Sequence, residues 1–256
     1  MVRREFGVAG DIAFRIASLA SGCALAWYVS RQCRKPTGWV GRFIAWTMNR
    51  SHSGLTAWGL KHIEIDKRAV LLDIGCGGGR TVQRLAAMAD LGTVRGIDYS
   101  EASLAAARKL NRSGIESGRV QIQCAPVSHL PFPDEMFDLA TAVETHYYWP
   151  ALPEDLREVR RVLKPGGSVL IVAEAYGGRS FDWLYRFSMM LLGGAFLSPD
   201  EHREMLVQAG YIEAQVFLEP ANGWICARGT KPIGESGLNK NTTTVGRERP
   251  GVAPGR

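Results

Sequence analysis

Apolar residues in this chain fall into short runs separated by amphipathic stretches, and the two kinds of segment alternate from residue 69 onward. Runs at 69–74, 93–98, 119–124, 137–143, 167–174, 211–218 and 222–228 have the length and branched content of strands. Stretches at about 79–89, 101–113, 152–163 and 199–209 carry the helical period. Ser100 reads as the N-cap of the second helix. Lys164-Pro165-Gly166-Gly167 reads as the stop of the third and the turn into Ser168–Val172. Such alternation predicts an α/β fold with a mostly parallel sheet covered by helices on both faces. Only Glu219-Pro220-Ala221-Asn222-Gly223 joins the last two strands, too short for a helical crossover, so they should form an antiparallel hairpin.

Composition adds bounds. The 256 residues hold 46% apolar and 22% charged side chains, ordinary for a globular chain with room for one filled domain. The net charge of +6 is uneven: residues 1–50 carry eight Lys/Arg against two acids, residues 51–228 eighteen against twenty-one, and residues 229–256 five against two. A slightly acidic body argues against a nucleic-acid surface. Five scattered cysteines (Cys23, Cys33, Cys76, Cys124 and Cys226) suit reduced thiols in the cytoplasm, and no cluster has metal-ligand spacing. Ile16–Val29 is an uncharged run of fourteen residues with basic flanks, short of the roughly 20 that a spanning helix needs. Arg3-Arg4 and Ala24-Leu25-Ala26 give it signal-peptide features. Its shortness and its Ser and Gly content favour instead a helix on the domain or on a membrane surface. The expected location is cytoplasmic, with residues 1–35 as the place for peripheral membrane contact. Residues 231–256, rich in Gly, Pro, Thr, Asn and charge, read as a disordered tail.

The chemistry begins at Val70-Leu71-Leu72-Asp73-Ile74-Gly75-Cys76-Gly77-Gly78-Gly79-Arg80, a strand running through a glycine turn into a helix whose N-terminus faces a ligand. Asp98 ends the next strand, where a carboxylate can accept from two vicinal ribose hydroxyls. Arg80 stands where a dinucleotide fingerprint has its third glycine. Asp73 before the turn suits a ligand carrying an ammonium group better than a pyrophosphate.

Asp73-x-Gly75-x-Gly77-x-Gly79, Gly96-Ile97-Asp98-Tyr99-Ser100, Leu130-Pro131-Phe132-Pro133-Asp134 with Phe137-Asp138, and Arg161-Val162-Leu163-Lys164-Pro165-Gly166-Gly167 together resemble class I S-adenosylmethionine-dependent methyltransferases of the UbiE-like, type 11 group. The resemblance covers about residues 48–230. It implies a Rossmann-like seven-stranded sheet, S-adenosyl-L-methionine as cofactor, and a division into a basic, apolar helical segment (1–47), the methyltransferase domain (48–230) and the tail (231–256). By the same resemblance Gly75, Cys76, Gly77 and Gly79 wrap the methionine part, Asp73 orients it, Asp98 holds the ribose and Tyr99 packs on the adenine. Pro126 stands where the family usually has an acid for the adenine amino group, which leaves that contact to the backbone of Val127 or Ser128. Gly78 and Asp138 read as turn formers, and Cys76 as a packed residue.

Glu144-Thr145-His146-Tyr147-Tyr148-Trp149-Pro150 follows the fourth strand, at the edge where open α/β sheets bind ligands. Here Glu144 is expected to face the cofactor, His146 to be a candidate general base and Tyr147 to help form the catalytic rim. No Asn/Asp-Pro-Pro-Tyr/Phe motif occurs there, which argues against a DNA amino-methyltransferase. Met48–His52 and Thr56–Leu60 should form helices over the cofactor mouth, with Trp58 in the core, and Phe181–Leu197 should either roof an apolar acceptor site or serve ordinary helix packing. The expected activity is metal-independent in-line methyl transfer to a small, hydrophobic or lipid-like molecule. A Rossmann-type oxidoreductase and a non-catalytic S-adenosylmethionine-binding protein are the alternatives.

Overall fold

The computed structural model describes residues 53–174, 176–178, 186, 189 and 193–234. Expectations for residues 1–52, most of 181–192 and 235–256 lie outside them. Helix α1 (Ser53–Gly59) runs into a 3-10 turn (Leu60–His62) and leads to β1 (Val70–Ile74). The order continues as α2 (Arg80–Met88), β2 (Thr93–Asp98), α3 (Glu101–Leu110), α4 (Arg112–Glu116), β3 (Val120–Cys124) and β4 (Phe137–Val143). A 3-10 turn (His146–Tyr148), α5 (Leu152–Val162), β5 (Leu163–Ala173), α6 (Pro199–Gln208), β6 (Ile212–Glu219) and β7 (Trp224–Thr230) complete it. The sheet order is β3-β2-β1-β4-β5-β7-β6. Strands β1 to β5 pair in parallel, and β7 pairs antiparallel with both β5 and β6, as the alternation and the short last connection predict.

Helices cover both faces of this sheet. On one, Leu156 and Val159 of α5 and Leu206 of α6 pack over Leu72, Ala140 and Ile171. On the other, Leu55 of α1, Val82 and Leu85 of α2, and Leu104 of α3 pack over Leu71, Val94 and Leu170. Burial of each such side chain stabilises the fold by about 2 kcal/mol. Trp58 is part of this second core, edge-on to His62 and near Trp224. Gly96 lets α2 sit down on β2, since a Cβ there would lie 2.8 Å from Val82 Cγ2. No helix among the described residues is long and apolar enough to cross a membrane.

Three local expectations are corrected. The helix read over 101–113 is two, because Asn111 leaves helical geometry (φ −102°, ψ 19°) and turns its side-chain amide onto the carbonyls of Gly79 and Ala107, both at 2.9 Å. Lys164-Pro165-Gly166-Gly167 lies within β5, after the helix has ended. There the register with β4 jumps from Phe137↔Leu163 to Leu139↔Ser168, and the extra residues loop out against Lys231, whose backbone bonds Gly166 and Gly167. Asp138 is no turn former: it accepts from the Val70 backbone N–H at 2.7 Å and pairs with Lys164, tying β1, β4 and β5 together at their starts.

Candidate active site

A cavity of about 410 Å³ opens at the carboxyl ends of β1, β2, β3 and β4. Its lining divides into two sides. One is the glycine loop with the segments that follow β2 and β3; the other is the segment that follows β4, and Thr56 of α1 is on the wall as well.

On the first side the backbone does most of the building. Cys76 N–H donates to Ile97 carbonyl at 2.8 Å and hangs the loop on β2. Gly77 N–H donates to Asp98 Oδ2 at 3.0 Å, and Ser100 N–H to Asp98 Oδ1 at 2.8 Å. Burial raises the Asp98 carboxyl, and these N–H groups work against the rise. Gly77 (φ +51°) lines the cavity, and a Cβ there would meet nothing within 4 Å. Gly78, expected only to shape the turn, lines the cavity and is absent from the residues of positive φ. Tyr99, 41% exposed, and Val127 with its neighbours Pro126 and Ser128 are also on the wall.

Two residues of the loop region stand off this wall. Gly79 (φ +81°) packs on α3, where a Cβ would be 2.5 Å from Asn111 Nδ2 and 2.8 Å from Ala107 Cα, so its glycine is required by helix packing and not by ligand approach. Asp73 lies beneath the loop, 1% exposed. Thr141 Oγ1–H donates to its Oδ1 at 2.7 Å, while Oδ2 is buried without a hydrogen-bond partner. Burial, with a smaller push from the Asp98 charge, raises its pKa to about 7. Cys76 is packed as expected, its thiol pushed up by burial and therefore no nucleophile.

The second side is made by side chains. Glu144 lines the cavity at φ +58°, a left-handed conformation rare for a residue with a side chain and often found at functional sites. Its Oε1 accepts from the Tyr147 hydroxyl at 2.7 Å and from Glu174 N–H at 2.6 Å. Thr145 bridges the two sides: its hydroxyl accepts the Trp149 indole N–H at 2.9 Å and reaches the Ile74 carbonyl at 3.4 Å. The same side chain fills the space beside Gly75 (φ +69°), where a Cβ would come within 2.8 Å of it. Tyr148, Trp149 and Pro150 line the cavity as well.

The expectation of His146 as a general base is corrected. The ring is 1% exposed, off the cavity wall and turned toward His202, with the two Nε2 atoms 3.1 Å apart. His202 Nδ1–H donates to the Ser198 carbonyl at 2.8 Å, so His202 Nε2 must accept and His146 Nε2–H must donate. Burial lowers both imidazoles and keeps them neutral. Tyr147 is likewise off the wall; it packs with Tyr176, Met189 and Ile225, and its hydroxyl positions Glu144. The bonds of Thr145 to Ile74, Thr141 to Asp73 and Asn111 to Gly79 went unread in the sequence because they span 71, 68 and 32 residues, beyond any local pattern.

Residues 72–171 match the family described as "Methyltransferase domain". The chain is 28% identical to an O-methyltransferase of Pyrenophora dematioidea over 65% of each chain. It is 31% identical to a demethylmenaquinone methyltransferase of Bacillus licheniformis over 52% of this chain and 59% of that one. The chain thus spans less than two thirds of the length of either relative. Among solved structures, Haemonchus contortus phosphoethanolamine N-methyltransferase 2 in complex with S-adenosyl-L-methionine superposes with a TM-score of 0.62 at 17% identity, over 70% of this chain and 53% of that one. At that identity the likeness is one of fold.

Proposed function

We propose that this chain, which belongs to the class I S-adenosylmethionine-dependent methyltransferases, moves a methyl group to a small-molecule acceptor held beside Glu144. The observation that carries the reading is Asp98, a buried carboxylate on the cavity wall that is tied to the glycine loop through Gly77.

The residues present fit the cofactor. A carboxylate has about four acceptor sites, so Asp98, which already takes backbone N–H groups of Gly77, Tyr99 and Ser100, keeps capacity for a ribose hydroxyl. The open space over Gly77 admits a ligand chain close to backbone. Tyr99, Pro126 and Val127 offer ring and apolar surface to a flat base, with no acid at position 126. The unpartnered Asp73 Oδ2 below the loop favours a cationic ligand above it.

Bound S-adenosylmethionine supplies an electrophilic methyl group on a sulfonium, whose departure leaves a neutral thioether. The chain must then align the acceptor, exclude water and take up any proton the acceptor sheds. Glu144 serves the last need. Fixed by Tyr147 and Glu174, its carboxylate would accept a proton shed by the acceptor and release it to solvent. A dinucleotide oxidoreductase fits less well, with Arg80 at the first position of α2 and the match to a methyltransferase domain.

Calorimetric titration with S-adenosylhomocysteine tests the reading. Binding at one site is expected, weakened at least about tenfold in Asp98→Ala. No binding, or binding of a nicotinamide dinucleotide in its place, contradicts it.

A further inference from the structure

We infer that the acceptor is an apolar molecule without negative charge that presents a hydrogen-bearing oxygen or nitrogen to Glu144. The inference rests on the methyl-transfer reading above. Among the described residues the cavity wall carries three charged side chains, Arg80, Asp98 and Glu144. Arg80 opens α2 and bonds Gln83 of its own helix at 3.2 Å, and Asp98 is tied to the glycine loop, so both belong to the loop side. Glu144 is the charge of the other side.

Around Glu144 the polar handles of two aromatic residues, Trp149 and Tyr147, are engaged by protein groups. The Trp149 indole N–H is bonded to Thr145, whose hydroxyl in turn meets the Ile74 carbonyl. The Tyr147 hydroxyl, behind the wall, is bonded to Glu144 itself. Trp149 therefore offers ring carbon to the cavity, next to Val143 and Pro150. Behind them Tyr147, Tyr176, Met189 and Ile225 form a buried apolar cluster against which Tyr148 packs.

A carboxylate in this setting selects its neighbour. A hydroxyl or amine finds in Glu144 an ionised acceptor, and such bonds are roughly twice as strong as neutral ones. An anionic acceptor would set like charge against Glu144 beside apolar surface. The positive φ at Glu144 and the two donors on its Oε1 keep the carboxylate from turning away.

The test uses the full chain saturated with S-adenosylhomocysteine, titrated calorimetrically with three probes on one ring system: 1-naphthol, 1-naphthylmethylamine and 1-naphthoate. The alcohol or the amine is expected to bind at least about tenfold tighter than the carboxylate, with the margin falling below about threefold in Glu144→Gln. Tyr147→Phe, which keeps the ring and removes one anchor of Glu144, should give an intermediate margin and serves if Glu144→Gln fails to fold by circular dichroism. The inference is overturned if 1-naphthoate binds as tightly as the others, if the margin persists in both variants, or if no probe binds at millimolar concentration. Failure of S-adenosylhomocysteine itself to bind, seen before any probe is added, overturns the methyl-transfer reading and this inference with it.

Discussion

The two sides of the cavity are built by different means. The glycine-loop side is held by backbone: Cys76 N–H on Ile97, and Gly77 and Ser100 N–H on Asp98. The side after β4 adds side-chain bonds to its backbone ones: Tyr147 on Glu144, Trp149 on Thr145, His146 on His202. Backbone contacts need few residue identities, here glycines of positive φ and one aspartate, so the shape they make is bound to the topology of the sheet. Side-chain contacts change with every substitution and leave the sheet alone. On the proposed reading, cofactor recognition follows from the fold and acceptor choice from residues 144–150. Thr145 joins the two, beside Gly75 and below Trp149.

The largest expected effect separates the sides by pH. Asp73, under the loop, has its pKa raised by burial from 3.8 to about 7. The folded state thus holds a proton that the unfolded chain gives up, and stability falls as pH rises from about 4 to 7. Three units correspond to a contribution on the order of 4 kcal/mol. His146 and His202, on the other side, are lowered by burial, so their contribution is lost as pH falls below about 6.5. Urea unfolding across pH should show Asp73→Asn losing the first slope and His202→Gln the second. If both variants keep the wild-type profile, this contrast fails.

Next in size is a contrast within the loop. Gly79→Ala should cost about 3 kcal/mol of stability, from a left-handed φ and a Cβ forced into Ala107 and Asn111. Gly77→Ala meets no atom and should cost about 1 kcal/mol for its φ alone. Its new methyl group enters the cavity, so it should weaken S-adenosylhomocysteine binding by about tenfold. Equal stability losses in the two variants would erase the distinction between a packing glycine and a ligand-facing one. Smallest is Thr145→Val, which keeps the shape beside Gly75 and removes the hydroxyl. A loss of about 1 kcal/mol is expected, with a shift in tryptophan emission as the Trp149 indole loses its partner. An unchanged spectrum would mean that the bridge does not hold the indole.

The same division explains how much could be read from residues alone. Alternating runs gave the sheet, and the short link before Trp224 gave its antiparallel end, because both are written in local periodicity and connection length. Asp73, Gly77 and Asp98 were legible because a glycine turn between a strand and a helix leaves few other arrangements. Gly79 looked like its neighbours in the motif, and only the packing of α3 shows its different use. His146 was misread because a histidine beside aromatic residues at a strand end has the composition of a catalytic rim. Its direction is set by His202, 56 residues later, and no local pattern carries that. Asn111 breaks a helix that periodicity would continue, through a bond to Gly79 across the fold.

Amide hydrogen exchange with and without S-adenosylhomocysteine tests the central claim most directly, since it reports each side of the cavity separately. The account predicts that the ligand protects the amides of 75–80, 98–100 and 126–128 and leaves those of 145–149 little changed. Protection centred on 145–149, with none at 75–80, would contradict it.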